Sequence, residues 1–252
     1  VLKVNSPQHY GMSAGDITSF GIPGDLPTDF RNDEGGALSF RTDPLTKTLC
    51  ILGQVILELK VTSTKKQAFV SAVLTDESPN GSQAIITRGF FNLMHRKSDV
   101  EPINIIPGEE MDATIELSGI SWRVYKGHKL VLHLGSTYWP TIWPSPYSAT
   151  LGIITGVSQL KLPIRNSTND TNKKLNLKEP NKINTHTYRT INKGSIERNY
   201  NIDLVTGVVT HRVYIDGGVF GPIGKIYFHD TETIFHDISE RIYTIHPDNP
   251  LS

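Results

Sequence analysis

Residues 54–63 alternate with a period of two. Val55, Leu57, Leu59 and Val61 fall on one side, Ile56, Glu58, Lys60 and Thr62 on the other. One side is wholly apolar, the pattern of a strand half-buried in an antiparallel sheet rather than of a helix with a period of 3.6. Further strand candidates lie at 37–42, 48–51, 68–76, 83–95, 110–117, 130–134, 149–154 and 158–163. In 110–117, Met111, Ala113, Ile115 and Leu117 share a side. Asn80-Gly81 supplies a turn that wants positive φ, and Gly89 marks an expected bulge or bend. Eight or nine strands between 37 and 163, without a helical period of useful length, predict an all-β fold. A β-sandwich is the expected form, and a jelly roll is its eight-stranded version.

On either side the texture changes. Residues 1–36 are rich in Gly, Pro, Ser and Asp, without sustained periodicity, and are expected to form a connecting segment or surface strap. The start at Val1, ahead of twenty loop-like residues, suggests the downstream part of a longer polypeptide. Residues 164–184 form a polar linker. Residues 185–252 turn β-rich again. They hold an expected hairpin (195–203 and 208–214, turning at Thr206-Gly207) and short strands at 226–229, 233–238 and 241–245. These residues either add strands to the sandwich or make a small annex.

The densest run is 125–147. Its second half sets Tyr138, Trp139, Trp143 and Tyr147 among Pro140, Pro144 and Pro146. Three prolines in seven residues exclude a helix or a central strand. Each large aromatic contributes roughly 1.5–3 kcal/mol when buried, so the loop is expected to pack on something. Two readings stand open: it caps the core of its own domain, or Tyr138, Trp139 and Trp143 face another domain or a ligand.

Composition removes several classes. Lysines and arginines number 25, as do aspartates and glutamates, and no basic stripe stands out, which argues against nucleic acid as a partner. No apolar run is long enough to span a membrane. The single cysteine, Cys50 in Leu49-Cys50-Ile51-Leu52, excludes an internal disulfide framework and is expected in the core. His229 and His236 are seven apart, an odd spacing that puts them on opposite faces, and neither HExxH nor CxxC occurs. No metal or cofactor is expected. Gly11-Met12-Ser13-Ala14-Gly15 matches the G-x-S-x-G elbow, but no apolar strand precedes it and glycines and prolines follow, so Ser13 is not taken as a nucleophile. On residues alone there is no active site. The aromatic loop could be a carbohydrate-type binding face or an interdomain contact.

Several motifs, in order, carry a resemblance. They include Gly24-Asp25-Leu26-Pro27-Thr28-Asp29, Ala37-Leu38-Ser39-Phe40, Asp43-Pro44-Leu45 and Phe91-Asn92-Leu93-Met94-His95-Arg96. Ile106-Pro107-Gly108-Glu109, Gly127-His128-Lys129-Leu130, Ser136-Thr137-Tyr138-Trp139-Pro140 and the tail from Ile245 to Ser252 complete the series. Together they resemble the C-terminal region of the CocE/NonD hydrolases, relatives of the X-Pro dipeptidyl-peptidases. The resemblance implies a jelly-roll, galactose-binding-like, non-catalytic domain. It also implies an upstream α/β-hydrolase domain whose Ser-Asp-His triad cleaves esters, amides or Xaa-Pro peptides. No catalytic residue transfers to this chain, and Ser13 does not map onto the family's serine. What transfers is packing against the hydrolase domain beside its substrate pocket, with Tyr138, Trp139 and Trp143 as expected contacts. A cytoplasmic setting is implied, and homo-oligomerisation stays open.

Overall fold

The computed structural model describes residues 1–13, 24–165, 178–181, 186–218 and 221–251. The first strands are β1 (Leu2–Val4), β2 (Leu38–Arg41), β3 (Leu49–Gly53), β4 (Ile56–Ser63), β5 (Phe69–Glu77) and β6 (Gln83–Asn92). They are followed by β7 (Met111–Glu116), β8 (Ile120–Val124), β9 (Lys129–Gly135), β10 (Leu151–Ile153) and β11 (Gln159–Lys161). A five-stranded sheet forms around β4, which pairs with β7 on one side and with β10 and β11 on the other; β1 adds to β10. A four-stranded sheet in the order β2-β9-β5-β6 faces it, and β3 pairs with β8. The fold is an all-β jelly-roll sandwich.

Alternation places the core. Val55, Leu57, Leu59 and Val61 are all 3% exposed or less. They pack with Ala113 and Ile115 against Val70, Ala72, Leu74 and Leu134 of the facing sheet. The strand β5 is buried along its whole length, so its second face needs a cover as well. That cover is the strap. Tyr10 and Phe30 lie over Val73, joined by Tyr138 from the aromatic loop. The approach is close enough to exclude a side chain at Gly135, whose Cβ would stand 2.6 Å from Tyr10 Cε1. Within the strap, α1 (Arg31–Glu34) adds a single helical turn.

Four details differ from the sequence reading. The strap is not loop throughout, since β1 joins the sheet edge. Gly89 is not a bulge: it pairs regularly with Ala72, and the register shift lies between Leu74 and Thr75. Gly89 is needed because the facing sheet comes close, with Glu116 O 3.0 Å from where its Cβ would be. Residues 93–95 leave the strand as a 3-10 turn, capped by the Asn92 side chain, which accepts from the Met94 N–H. Cys50 is half-buried; its neighbour Ile51 is the core residue. The linker at 164–184 lies largely outside the described residues.

The annex comprises β12 (Tyr188–Asn192), β13 (Ile196–Ile202), β14 (Val209–Asp216), β15 (Lys225–Phe228), β16 (Thr233–Phe235) and β17 (Ile238–Ile245). The hairpin β13–β14 turns through Gly207 at φ +76°, and β17 extends it into a three-stranded sheet. A second three-stranded sheet runs β12-β15-β16. The chain crosses between them through Gly194, Gly217 and Gly224, where a Cβ on Gly217 would lie 2.1 Å from the Gly224 nitrogen.

Candidate interdomain surface at the aromatic loop

The loop that follows β9 begins with a reciprocal clasp. Ser6 N–H donates to Ser136 Oγ at 2.9 Å, and Ser136 N–H returns a bond to Ser6 Oγ at 3.0 Å. Ser71 Oγ donates to the Thr137 carbonyl at 2.8 Å, and Trp139 N–H donates to the Tyr10 carbonyl at 2.7 Å. The peptide between Trp139 and Pro140 is cis. A stretch without β-ladder partners is thus fixed by the strap and by β5, satisfying backbone groups that would otherwise be buried bare.

Three aromatic residues expected at an interface go three ways. Tyr138 is fully buried and packs edge-on to Tyr10, with ring centroids 5.5 Å apart, and against Phe90 at 5.1 Å. Burial pushes its phenol up to about 12. Trp139 is also buried, but in a separate cluster with Val209 and Ile245 of the annex, backed by Met12 and Tyr243. Its ring meets His211 edge-on at 6.1 Å. Only Trp143 projects from the surface, at 73% exposed. The sequence singled out all three residues but could not orient them: Tyr138 and Trp139, expected as contacts, are buried within this chain.

Trp143 stands as a ridge between two hollows. One, of about 390 Å³, runs over β5 and β6 and is lined by Phe69, Phe90, Phe91, Met94, Ile142 and Pro146 among others. The other, of about 300 Å³, lies toward the annex, between Trp139, Ile245 and Leu251. Lys66 Nζ sits 5.6 Å from the Tyr147 ring at the edge of the loop. The exposed part of the loop offers flat apolar area for packing or stacking. The contributions of Phe69 and Phe90 were not predicted. Both sit on expected strands, and which face the loop leaves open is set by tertiary packing.

The annex is fastened beneath this ridge. The Gln8 N–H donates to the Pro247 carbonyl at 2.9 Å. Arg198 Nη2 meets Asp25 Oδ1 at 2.6 Å, with both side chains almost wholly removed from solvent. A buried pair of this kind is costly to break from one side, because the remaining charge is left uncompensated.

Other polar groups are structural. His133 is fully buried beneath Phe30, its Nδ1 2.8 Å from Ser39 Oγ and its Nε2 3.0 Å from Thr75 Oγ1. Burial, with the charge of Arg41 adding to it, holds the imidazole down at about 3. His128 Nδ1 lies 2.7 Å from Asp76 Oδ1, and Trp122 Nε1 donates to Asp76 Oδ2 at 3.1 Å, tying β8 and the turn before β9 to β5. Of the two histidines seven apart, His236 Nε2 is 2.9 Å from Asp216 Oδ1, and His229 packs on the Tyr227 ring. Among the described residues, no group of three His, Cys, Asp or Glu side chains is placed to hold a metal ion. Nor is any described helix long and apolar enough to cross a membrane. In the G-x-S-x-G match, Gly11 to Ser13 form a turn rather than the end of a strand, and Ala14 and Gly15 lie outside the described residues.

The family of X-Pro dipeptidyl-peptidase C-terminal non-catalytic domains matches residues 1–181. This chain belongs to that family. The matched region takes in the strap, the jelly roll and the aromatic loop, and the annex strands lie beyond it. A cocaine esterase from Rhodococcus sp. (strain MB1 Bresler) is 27% identical over 116 residues, 45% of this chain and 20% of that protein. An α-amino acid ester hydrolase structure superposes with a TM-score of 0.52 at 20% identity, covering 54% of this chain and 27% of the other. An aminopeptidase from a marine sediment Thaumarchaeota archaeon gives a TM-score of 0.52 at 17% identity, covering 55% and 27%. These two likenesses concern the fold. The chain thus spans only 20–27% of the length of each of these proteins.

Proposed function

We propose that this chain is the accessory β-domain of a serine hydrolase, inactive by itself, whose upstream α/β-hydrolase domain cleaves ester, amide or Xaa-Pro bonds. The aromatic loop meets that domain and helps to wall its substrate pocket, and Trp143 is the contact residue. Tyr138 and Trp139 act from within, holding the ridge on two cores. A cytoplasmic setting fits the same reading.

One observation carries this: a tryptophan 73% exposed on a loop fixed from below, in a chain of a non-catalytic domain family. An isolated domain gains nothing by exposing its largest apolar side chain between two hollows, whereas an interface anchor needs it there. Hydrolysis of a p-nitrophenyl ester and an Xaa-Pro anilide should be measured for this chain and for the polypeptide extended upstream. Turnover by the longer protein alone is the expected result, with kcat/KM reduced about tenfold or more by Trp143→Ala if a hot-spot contact is lost. Turnover by the short chain would overturn the reading. The aromatic hollow also fits a sugar-binding face, and saturable glycan binding by this chain that Trp143→Ala abolishes would favour a carbohydrate-binding module instead.

A further inference from the structure

Three polar side chains are sealed into the seam where the strap, α1 and the aromatic loop meet. Tyr10, Asp33 and Tyr138 are 2%, 5% and 0% exposed. The Tyr10 hydroxyl, Asp33 Oδ2 and the Tyr138 hydroxyl find no close, well-aligned hydrogen-bond partner in the protein, although the Arg88 side chain reaches toward the Tyr138 phenol and partly offsets its burial. They belong to one neighbourhood: the two tyrosine rings are 5.5 Å apart, and the Asp33 carboxyl is near enough to push both phenols up. The Asp33 carboxyl is otherwise held by the Ser13 side chain and by the backbone N–H groups of Ser13 and Gly11. The Arg88 guanidinium stands 5.9 Å from the centre of the Tyr138 ring. A bare buried polar group lowers the folding equilibrium constant roughly five- to a hundredfold, so three in one place call for a common partner.

We propose that this seam is a built site for internal water, bridging the Tyr10 hydroxyl, Asp33 Oδ2 and the Tyr138 hydroxyl. The chemistry selects the occupant. Each phenol can donate and accept, while an ionised carboxylate only accepts. A water molecule, with two donors and two acceptors, serves both kinds. An anion would meet Asp33, and a cation would meet the guanidinium of Arg88. The bridge joins three segments distant in sequence, so the strap is fastened to the loop through solvent as well as through Ser6 and Ser136.

The test uses the full chain with Tyr10→Phe and Tyr138→Phe, singly and together, in urea unfolding at pH 7. Each single change is expected to lower the folding constant roughly fivefold, the double change by less than the product, because both remove bonds to shared water. If either single change leaves stability unaltered or raised, the hydroxyl was bare and the site is refuted. Nuclear Overhauser transfer from long-lived water to the ring protons of Tyr10 and Tyr138 is expected as well. Its absence would overturn the proposal even if both variants were destabilised, since the hydroxyls would then be bonded within the protein.

Discussion

Trp139 and Trp143 are four residues apart in one loop, yet their substitution should have opposite signatures. Trp143 is 73% exposed, so Trp143→Ala should leave the stability of this chain within about 0.5 kcal/mol. Trp139 is 1% exposed between the sandwich and the annex, so Trp139→Ala should cost about 3–5 kcal/mol. Urea unfolding of both variants checks this, and equal effects would contradict the geometry. The sequence announced that this loop matters, through its tryptophans and prolines. It could not announce direction, because a proline-rich loop has no period from which to read inward and outward. Cys50 shows the same limit: an apolar neighbourhood suggested the core, but on β3 it is Ile51 that points inward.

At the level of elements, what was legible followed burial on one side. Both β4 and β7 stood out because one face of each is solvated and the other is not. The edge strand β1 was illegible, being three residues long with two of them exposed. Gly89 was recognised as special, but the cause lies across the core, at Glu116 and Leu117, which no local pattern records. The annex depends on a comparable approach. Gly217, at φ +125° and against the Gly224 backbone, admits no side chain. Gly217→Ala should therefore cost about 3 kcal/mol or more, from left-handed strain and a backbone clash together. Hydrogen exchange should show protection lost first in β12 to β17, with the jelly roll still protected; equal loss in β5 and β9 would show that the annex has no separate response.

For the molecule as a whole, acid should act through two buried groups of opposite sign. His133 is held at about 3 against an ordinary 6.5, so between those values the unfolded chain binds the extra proton and stability falls as pH falls. Asp33 is raised to about 6 from 3.8 by burial, opposed by hydrogen bonds from the strap, so between those values the folded chain holds the extra proton and stability rises as pH falls. The two partly cancel between pH 4 and 6. Asp33→Asn should remove the second, giving a steeper loss of urea midpoint over that interval than in the parent; an unchanged slope would show that Asp33 is not titrating there. The jelly roll was legible from strand spacing and from motifs that also carry the family resemblance. The seating of the annex was not, because its two fastenings, Trp139 on Val209 and Ile245 and Asp25 on Arg198, each join stretches distant in the chain. Tyr138 and Trp139 are successive residues, one set in the strap core and the other in the annex core. Considered as a path for force, tension on β17 passes into Trp139 and, one peptide unit later, into the sandwich, so the annex cannot be peeled away without pulling on the jelly roll.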